Sequence, residues 1–553
     1  MEKRLLLAFV LSALIFAVWS VVFPPPPPPA ARTQEETVSH DVVGEGESTP
    51  LERVIADAPA DEVGEIQEEE TFDAIVGEVE QTVRLTNEVM EVEISNRGAL
   101  VTAMRLLQFD DDEGLVLDLI QSVPAEEVAL PLQLVSEEGL DTRLYHVERS
   151  GDKVVMTWSD GAGSAVHKTI GLGSSYGLEV AIRSAGSLAN AAISAGTGLR
   201  NLGEQERNSR LALWGDGIVL VDGEIEKFKK AKVKAPVSLR PGVVAYAGLE
   251  DAYFINLLRP MTRIDEIRID RLEYTELSDP GEEPKLNHAL RVLLVPSSGV
   301  FEGELLGAPK DFELLQSIGG GVEKTLDFGI FGIISIFFLK ALWWIYGIVG
   351  NYGVAIILLT VGIRIVLFPL MHTSTVSMRK MAKVQPRVKE IQTKYKKKKN
   401  DPQARSKMSQ ETMALYKEEG VNPMAGCLPV LVQLPILWAL YQLFLHAIEL
   451  RHAPFMFWIT DLSAKDPYYV TPVLMTATMW LQQKLAPQAG DPQQQRIMRM
   501  LPLVFGIMFL QFPSGLVLYW LTNNVISILQ QEITLFIIGE RKYFGRSGGR
   551  KTK

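Results

Sequence analysis

YGVAIILLTVGIRIVLFPLMH, residues 352–372, is the stretch on which the reading of this chain turns. It is apolar for about the 20 residues that a bilayer core requires. Yet it holds Arg364 about seven residues from its end, roughly 10 Å deep at about 1.5 Å per residue. An arginine at the centre of a membrane helix costs about 2.5–3.5 kcal/mol. Its side chain must either stretch to the headgroups or face water inside a bundle of helices. Thr360 lies one helical turn away on the same face.

Outward from this segment, apolar stretches recur at 326–350, 424–447, 468–485, 498–512 and 515–538. Another, within residues 1–23, follows Lys3 and Arg4. It reads as an uncleaved anchor, because no small-residue cleavage site follows it before Pro24–Pro29. Stretch 378–420 is dense in Lys and Arg, including Lys396, Lys397, Lys398 and Lys399, and by the positive-inside rule lies on the same side as the N-terminus. Only one of 326–350 and 352–372 can then span. Segment 326–350 carries Lys340 at mid-length beside Trp343, Trp344 and Tyr346, so it is expected to lie on the outer surface as an amphipathic helix. The later segments bring the C-terminus inside, in agreement with the basic tail 539–553. Segment 498–512 is short for a span and implies tilt or a thinned bilayer. Phe512-Pro513-Ser514-Gly515 then forces a reversal.

The formal net charge of −12 averages two unlike halves of a 553-residue chain. Residues 24–82 are first proline-rich and then acidic, a composition that supports no core and predicts a linker. From 83 to 315 the texture is that of short strands. Val92 and Ile94 alternate with Glu91 and Glu93, and Ser150-Gly151-Asp152 separates two strand-like runs. The single cysteine, Cys427, rules out an internal disulfide and reads as a small packing residue. The fold class expected is a multi-domain membrane protein: an α-helical bundle of five transmembrane helices after the anchor, plus a β-rich, sandwich-like soluble domain.

Arg364 has polar company. Gln433 lies at a similar depth in its own segment, Gln482 and Gln483 end another, and Thr522, Asn523 and Asn524 interrupt the last. Lone amides in membrane helices join helices to one another; several at one depth around an arginine also fit a water-filled groove open to the inside. The basic stretch reads as a helical hairpin, broken at Asn400-Asp401-Pro402. It serves either as a topology determinant or as a docking arm for a polyanion or an anionic lipid surface.

Enzymatic chemistry is not expected. An intramembrane protease needs a Ser–His or paired-Asp constellation, but His372, His446 and His452 fall at segment ends, and Asp461 and Asp466 lie in a loop. Gly319-Gly320-Gly321 lacks the following Lys-Ser or Lys-Thr of a phosphate loop. No cofactor or metal is implied. A secondary transporter is the alternative, since it also uses intramembrane polar residues, but no repeated halves are visible.

Certain motifs, in this order, resemble one family. They are Ser409-Gln410-Glu411, Leu415-Tyr416-Lys417, Val421-Asn422-Pro423, Asp461-Leu462-Ser463-Ala464, Asp466-Pro467-Tyr468-Tyr469 and Phe512-Pro513-Ser514-Gly515-Leu516. The chain resembles the YidC/Oxa1/Alb3 family of membrane protein insertases, in the form with a large periplasmic domain found in Gram-negative inner membranes. The resemblance implies a hydrophilic groove, open to the cytoplasm, that receives nascent membrane proteins and releases their spans into the bilayer. Such a protein works alone or with the Sec translocon; the ribosome and anionic phospholipids are partners that the basic hairpin implies. By resemblance the groove residues are Arg364, Thr360, Gln433 and Trp520, and Thr522 and Asn523 join them by their place in the last apolar segment. By resemblance a hydrophobic slide falls on Leu434, Pro435, Leu437, Met475, Met508 and Phe509, while the charge of the hairpin puts ribosome or lipid docking on Lys396 to Lys399. Trp520 stands where the family often has tyrosine, which loses a hydroxyl.

Overall fold

Along the strand Met90–Ser95, Met90, Val92 and Ile94 are fully buried. Glu91 and Glu93 turn outward to Arg84 and Arg105. That alternation is the period of a half-buried strand. In the computed structural model it recurs through the first half of the protein. The structure describes residues 73–539, apart from 124–127, 137–138, 174, 203–205, 207–214, 277–284, 396–400, 422–427 and 486–491. The anchor, most of the linker, Lys396 to Lys399 and the basic tail lie outside the described residues.

Three antiparallel sheets, of four, five and nine strands among the described residues, build the β-rich domain between Thr82 and Pro309. The five-stranded sheet lies face to face with the nine-stranded one. A Cβ added at Gly217 of the larger sheet would sit 3.7 Å from both Ile269 and Leu290 of the smaller. The sandwich shares one apolar core. Strands His146–Ser150 and Lys153–Ser159 form the expected hairpin, with Ser150 opposite Lys153.

A cation is sealed in this domain. Lys168 is fully buried, and its Nζ donates to the carbonyls of Gly98, Ala99 and Leu132 at 3.2, 2.8 and 2.7 Å. Ala99 and Leu132 both have positive φ, 49° and 65°. Left-handed backbone at non-glycine residues costs of the order of 1–3 kcal/mol and persists only where its surroundings fix it. Both residues turn their carbonyls to the Lys168 nitrogen.

The helices follow. α1 (Phe312–Ile318) is capped by Asp311, whose side chain accepts from the Leu314 amide. α2 (Gly332–Val349) ends at Gly350 in the left-handed conformation. Asn351 then caps α3 (Tyr352–Val366) by accepting from the Val354 amide. α4 (Phe368–Tyr395) and α5 (Pro402–Glu418) form the expected hairpin. Val384 and Val388 pack there against Leu415 and Val421, with Lys394 paired to Glu411 and Arg387 to Glu419. α6 (Leu428–His446), α7 (Val470–Leu485), α8 (Pro492–Phe509) and α9 (Ser514–Ile537) complete the chain. A second apolar core joins α2, α3, α6 and α9.

Two features differ from the sequence expectation. The segment 352–372 is not one helix: α3 and α4 meet at Leu367 with a bend of 62°. Pro369, in the first turn of α4, suits a helix start and disfavours a continuous one. Among the described residues, moreover, the one helix long and apolar enough by itself to cross a membrane is Gly329–Val349. That segment is the one the charge rule lays on the surface. The apolar parts of α6 and α8 are shorter, Val432–His446 and Met498–Phe509.

A buried ionic clamp joins the β-rich domain to the loop after α6. Arg451 donates to the Asp110 carbonyl at 2.8 Å and reaches Glu206 at 3.4 Å. Arg200 binds Glu206 through both terminal nitrogens at 2.6 and 2.9 Å and also pairs with Asp251. Phe254 lies between the two guanidinium groups, 5.3 Å from Arg200 and 5.4 Å from Arg451. Beside them His452 meets Asp112 at 3.2 Å, and that hydrogen bond holds the Asp112 carboxyl below its usual range.

Candidate functional site

α3 brings Arg364 into the bundle. Gly353 in its first turn allows Phe455 to lie against the helix, since a Cβ there would come 2.1 Å from the ring. Three turns later Arg364 is 3% exposed. Its Nε donates to Asn523 Oδ1 at 2.7 Å, and Gln433 donates to the same oxygen at 3.4 Å. Gln530 donates at 2.8 Å to the Arg364 carbonyl, where the end of α3 leaves backbone acceptors to satisfy. Arg364 Nη1 is buried and has no partner, and among the described residues no carboxylate pairs with the guanidinium.

These groups border a cavity of about 380 Å³. One wall is a stripe on α9: Trp520, Asn523, Asn524, Ser527, Gln530, Gln531 and Thr534. Spacings of three and four put them on one helical face. Facing them are Gln433, Leu434 and Leu437 of α6, Met479 and Gln482 of α7, and Met371 and Thr375 of α4. Amides and hydroxyls fill one side and aliphatic chains the other. Among the described residues no group of three His, Cys, Asp or Glu side chains could hold a metal. The cavity can hydrate and hydrogen-bond a polar chain, and it offers one unpaired positive charge.

The expected groove residues divide. Arg364, Gln433, Trp520 and Asn523 line the cavity together. Thr360 is buried a turn away and does not line it, because its hydroxyl donates to the Ile356 carbonyl of its own helix at 2.7 Å. Thr522 is also absent from the lining, since it points about 100° around α9 from Asn523. Ser527, Gln530, Gln531 and Thr534 went unread in the sequence. The signal was there, because they continue the spacing of Trp520 and Asn523.

The slide residues divide too. Leu434 and Met508 are 47% and 45% exposed, and Pro435 and Leu437 are half-buried. Met475 and Phe509 are corrections, for both are buried in the bundle. Phe509 stacks on Phe512 with centroids 4.9 Å apart and lies 5.0 Å from Trp520. The Met475 carbonyl accepts from Asn524, which draws α7 against α9.

Comparison with known proteins gives two family matches. A family described as 60Kd inner membrane protein matches residues 344–539, and the YidC periplasmic domain matches residues 82–341. A membrane protein insertase YidC of Geotalea uraniireducens is 33% identical over 555 residues, covering 96% of this chain and 98% of the relative. One of Syntrophus aciditrophicus is 44% identical over 310 residues, 56% of this chain, and that match spans only 55% of the relative. The crystal structure of an active YidC insertase with its first transmembrane domain resolved is 19% identical. The match covers 83% of this chain and 94% of that one, with a TM-score of 0.35.

Proposed function

The chain belongs to the YidC family of membrane protein insertases, and from that premise we propose that its cavity receives the polar end of a nascent membrane protein. One observation carries the reading: Arg364 is buried among amides with Nη1 unpartnered, beside an exposed apolar flank. A buried guanidinium left short of a partner is costly in a finished bundle. It is useful in one whose partner arrives. An acidic or carbonyl-rich segment would supply the acceptor, and the positive potential would favour acidic ends. Leu434 both lines the cavity and is exposed on α6, so an apolar segment could pass from cavity to lipid along Leu434, Leu437 and Met508.

The placement in the membrane belongs to the same proposal. The β-rich domain is periplasmic, the α4–α5 hairpin and the C-terminus are cytoplasmic, and α3, α6, α7, α8 and α9 span a Gram-negative inner membrane. α2 lies at the periplasmic surface despite its apolarity. Supporting this, both its ends are tied to the side of the β-rich domain. Gly329 follows closely on Thr325, whose carbonyl accepts from Lys310. Asn351, at the other end, donates to the Phe455 carbonyl, four residues beyond Arg451 of the clamp. The Sec translocon is a partner by family resemblance, and the ribosome and anionic lipid are partners by the charge of the hairpin, with its lysine-rich tip as the docking element.

The test is site-specific photocrosslinking of a stalled client in membranes. A probe at Gln433 or Leu434 is expected to capture the client, and one at Leu358, exposed on α3, is not. Arg364→Ala is expected to impair clients with acidic translocated ends most, with Arg364→Lys milder because charge is kept while the planar fork is lost. Equal capture at Leu358 and Gln433 would sink the proposal.

A further inference from the structure

A second cavity, of about 490 Å³, runs between α7 and α8, away from the polar one. Val473, Ala477 and Trp480 form one bank, and Leu503 and Ile507 the other. At its floor the two helices nearly touch. A Cβ added at Gly506 would come 2.3 Å from Thr476 Oγ1, and that hydroxyl already donates to the Pro472 carbonyl at 2.7 Å. The floor therefore offers no free donor. The one charged residue in the lining is Arg499, at one end. Gln483 of α7 donates to the Met498 carbonyl of α8, which brings the C-terminal turn of α7 to that same end. Lys484 thus lies near Arg499, its Nζ 5.0 Å over the exposed Trp480 ring. Among the described residues neither cation has a carboxylate partner.

We propose that this groove binds one anionic phospholipid of the cytoplasmic leaflet, with its phosphate between Arg499 and Lys484 and one acyl chain lying along Ala477, Leu503 and Ile507. Length supports it. Arg499 to Leu510 is about 16 Å at about 1.5 Å per residue, close to half of a bilayer core about 30 Å thick. Two unpaired cations beside an indole at one end of an apolar slot complement an anionic headgroup. The proposal rests on the membrane placement given above, which puts the Arg499 end of the groove at the cytoplasmic face. The client cavity is not involved.

The experiment is native mass spectrometry of the intact protein in mild detergent, titrated with phosphatidylglycerol or phosphatidylcholine of equal chain length. One phosphatidylglycerol is expected to be retained in preference to phosphatidylcholine. In the double variant Arg499→Gln, Lys484→Gln its affinity is expected to fall about thirtyfold, the worth of two basic residues at an anionic lipid surface. Arg499→Lys in place of Arg499→Gln should recover about fivefold, the worth of one basic residue. Ala477→Phe, on an exposed face of α7, fills the slot without touching the core and is expected to abolish retention with both cations intact. Equal retention of the two lipids by the parent protein, or undiminished retention by Ala477→Phe, would overturn the proposal. Capture of a stalled client by a photoprobe at Ala477 would overturn it too, by naming a different occupant. Insertion assays on the same variants separate this site from the client cavity, since activity can persist without the lipid.

Discussion

Two buried cations show how environment sets the role of a residue. Arg364 lies among amides, where Asn523 accepts from its Nε and Nη1 is left without a partner. Lys168 is closed on all sides, and burial pushes its ammonium down to about 7 from an ordinary 10.5 although three carbonyls accept from it. The sign of the resulting pH dependence follows from linkage. Below about pH 7 the group is charged in both the folded and the unfolded chain, and the cost of burial is fully present. Between 7 and 10.5 the unfolded chain holds the proton that the folded chain has lost, so stability rises with pH. Urea midpoints for protection of the amides in strand Ala165–Leu172 should therefore climb from pH 7 to about pH 9 in the parent relative to Lys168→Met. Parallel pH profiles would mean that the ammonium is not titrating in the fold.

At the scale of elements, the bend at Leu367 and the seat of α2 decide what faces what. The 62° turn between α3 and α4 frees the Arg364 carbonyl for Gln530 and swings Met371 and Thr375 over the cavity. α2 is held by contacts that its composition does not show. Ser335 donates to the Ala439 carbonyl at 3.0 Å, and the Trp343 indole donates to Glu449 at 2.8 Å. Burial raises the Glu449 carboxyl to about 7. Single cysteines at Ile330 and Ile348, both exposed, test its placement in a Cys427→Ser background. Both should react with an impermeant reagent added from the periplasm. Labelling of one of them only from the cytoplasm would turn α2 into a span and reverse the side of everything after it.

At the scale of the molecule, the clamp of Arg200, Glu206, Asp251 and Arg451 joins two bodies with separate apolar cores. The side chains of Arg200 and Arg451 are each 3% exposed, so loss of one partner strands charge in a dry interface. Breaking buried pairs of this kind costs about 3–5 kcal/mol, the lower end here because Glu206 is partly open to water. Arg451→Met is expected to leave each body folded and to speed hydrogen exchange at both edges of the junction, around Asp110 and Leu450. Adding Glu206→Gln should cost less than it does alone, because its contact with Arg451 is already lost while that with Arg200 remains to be broken in either background. Additive effects would show that the two residues do not share one network.

The sequence by itself determined the elements of this protein. Period-two alternation located the strands, apolar runs located α2, α3, α6, α7, α8 and α9, and the motifs from Ser409 to Leu516 located the family. Those signals are local: each is carried by neighbours along the chain. It also marked Arg364, because a charge in an apolar run is visible without a fold. What only the tertiary structure decided was which polar residues share space with it. Thr360 sits at the right spacing yet turns its hydroxyl back to Ile356, while Gln530 and Thr534, two and three turns past Asn523, come into the cavity. Met475 and Phe509 have the composition of a lipid-facing flank and lie inside because α9 presents Asn524 and Trp520 to them. The clamp was illegible for the same reason, since Arg200 and Arg451 are 251 residues apart and become neighbours only when Glu206 and Phe254 are placed between them. Apolarity records what a segment tolerates; the packing of its neighbours fixes which face meets lipid, water or protein.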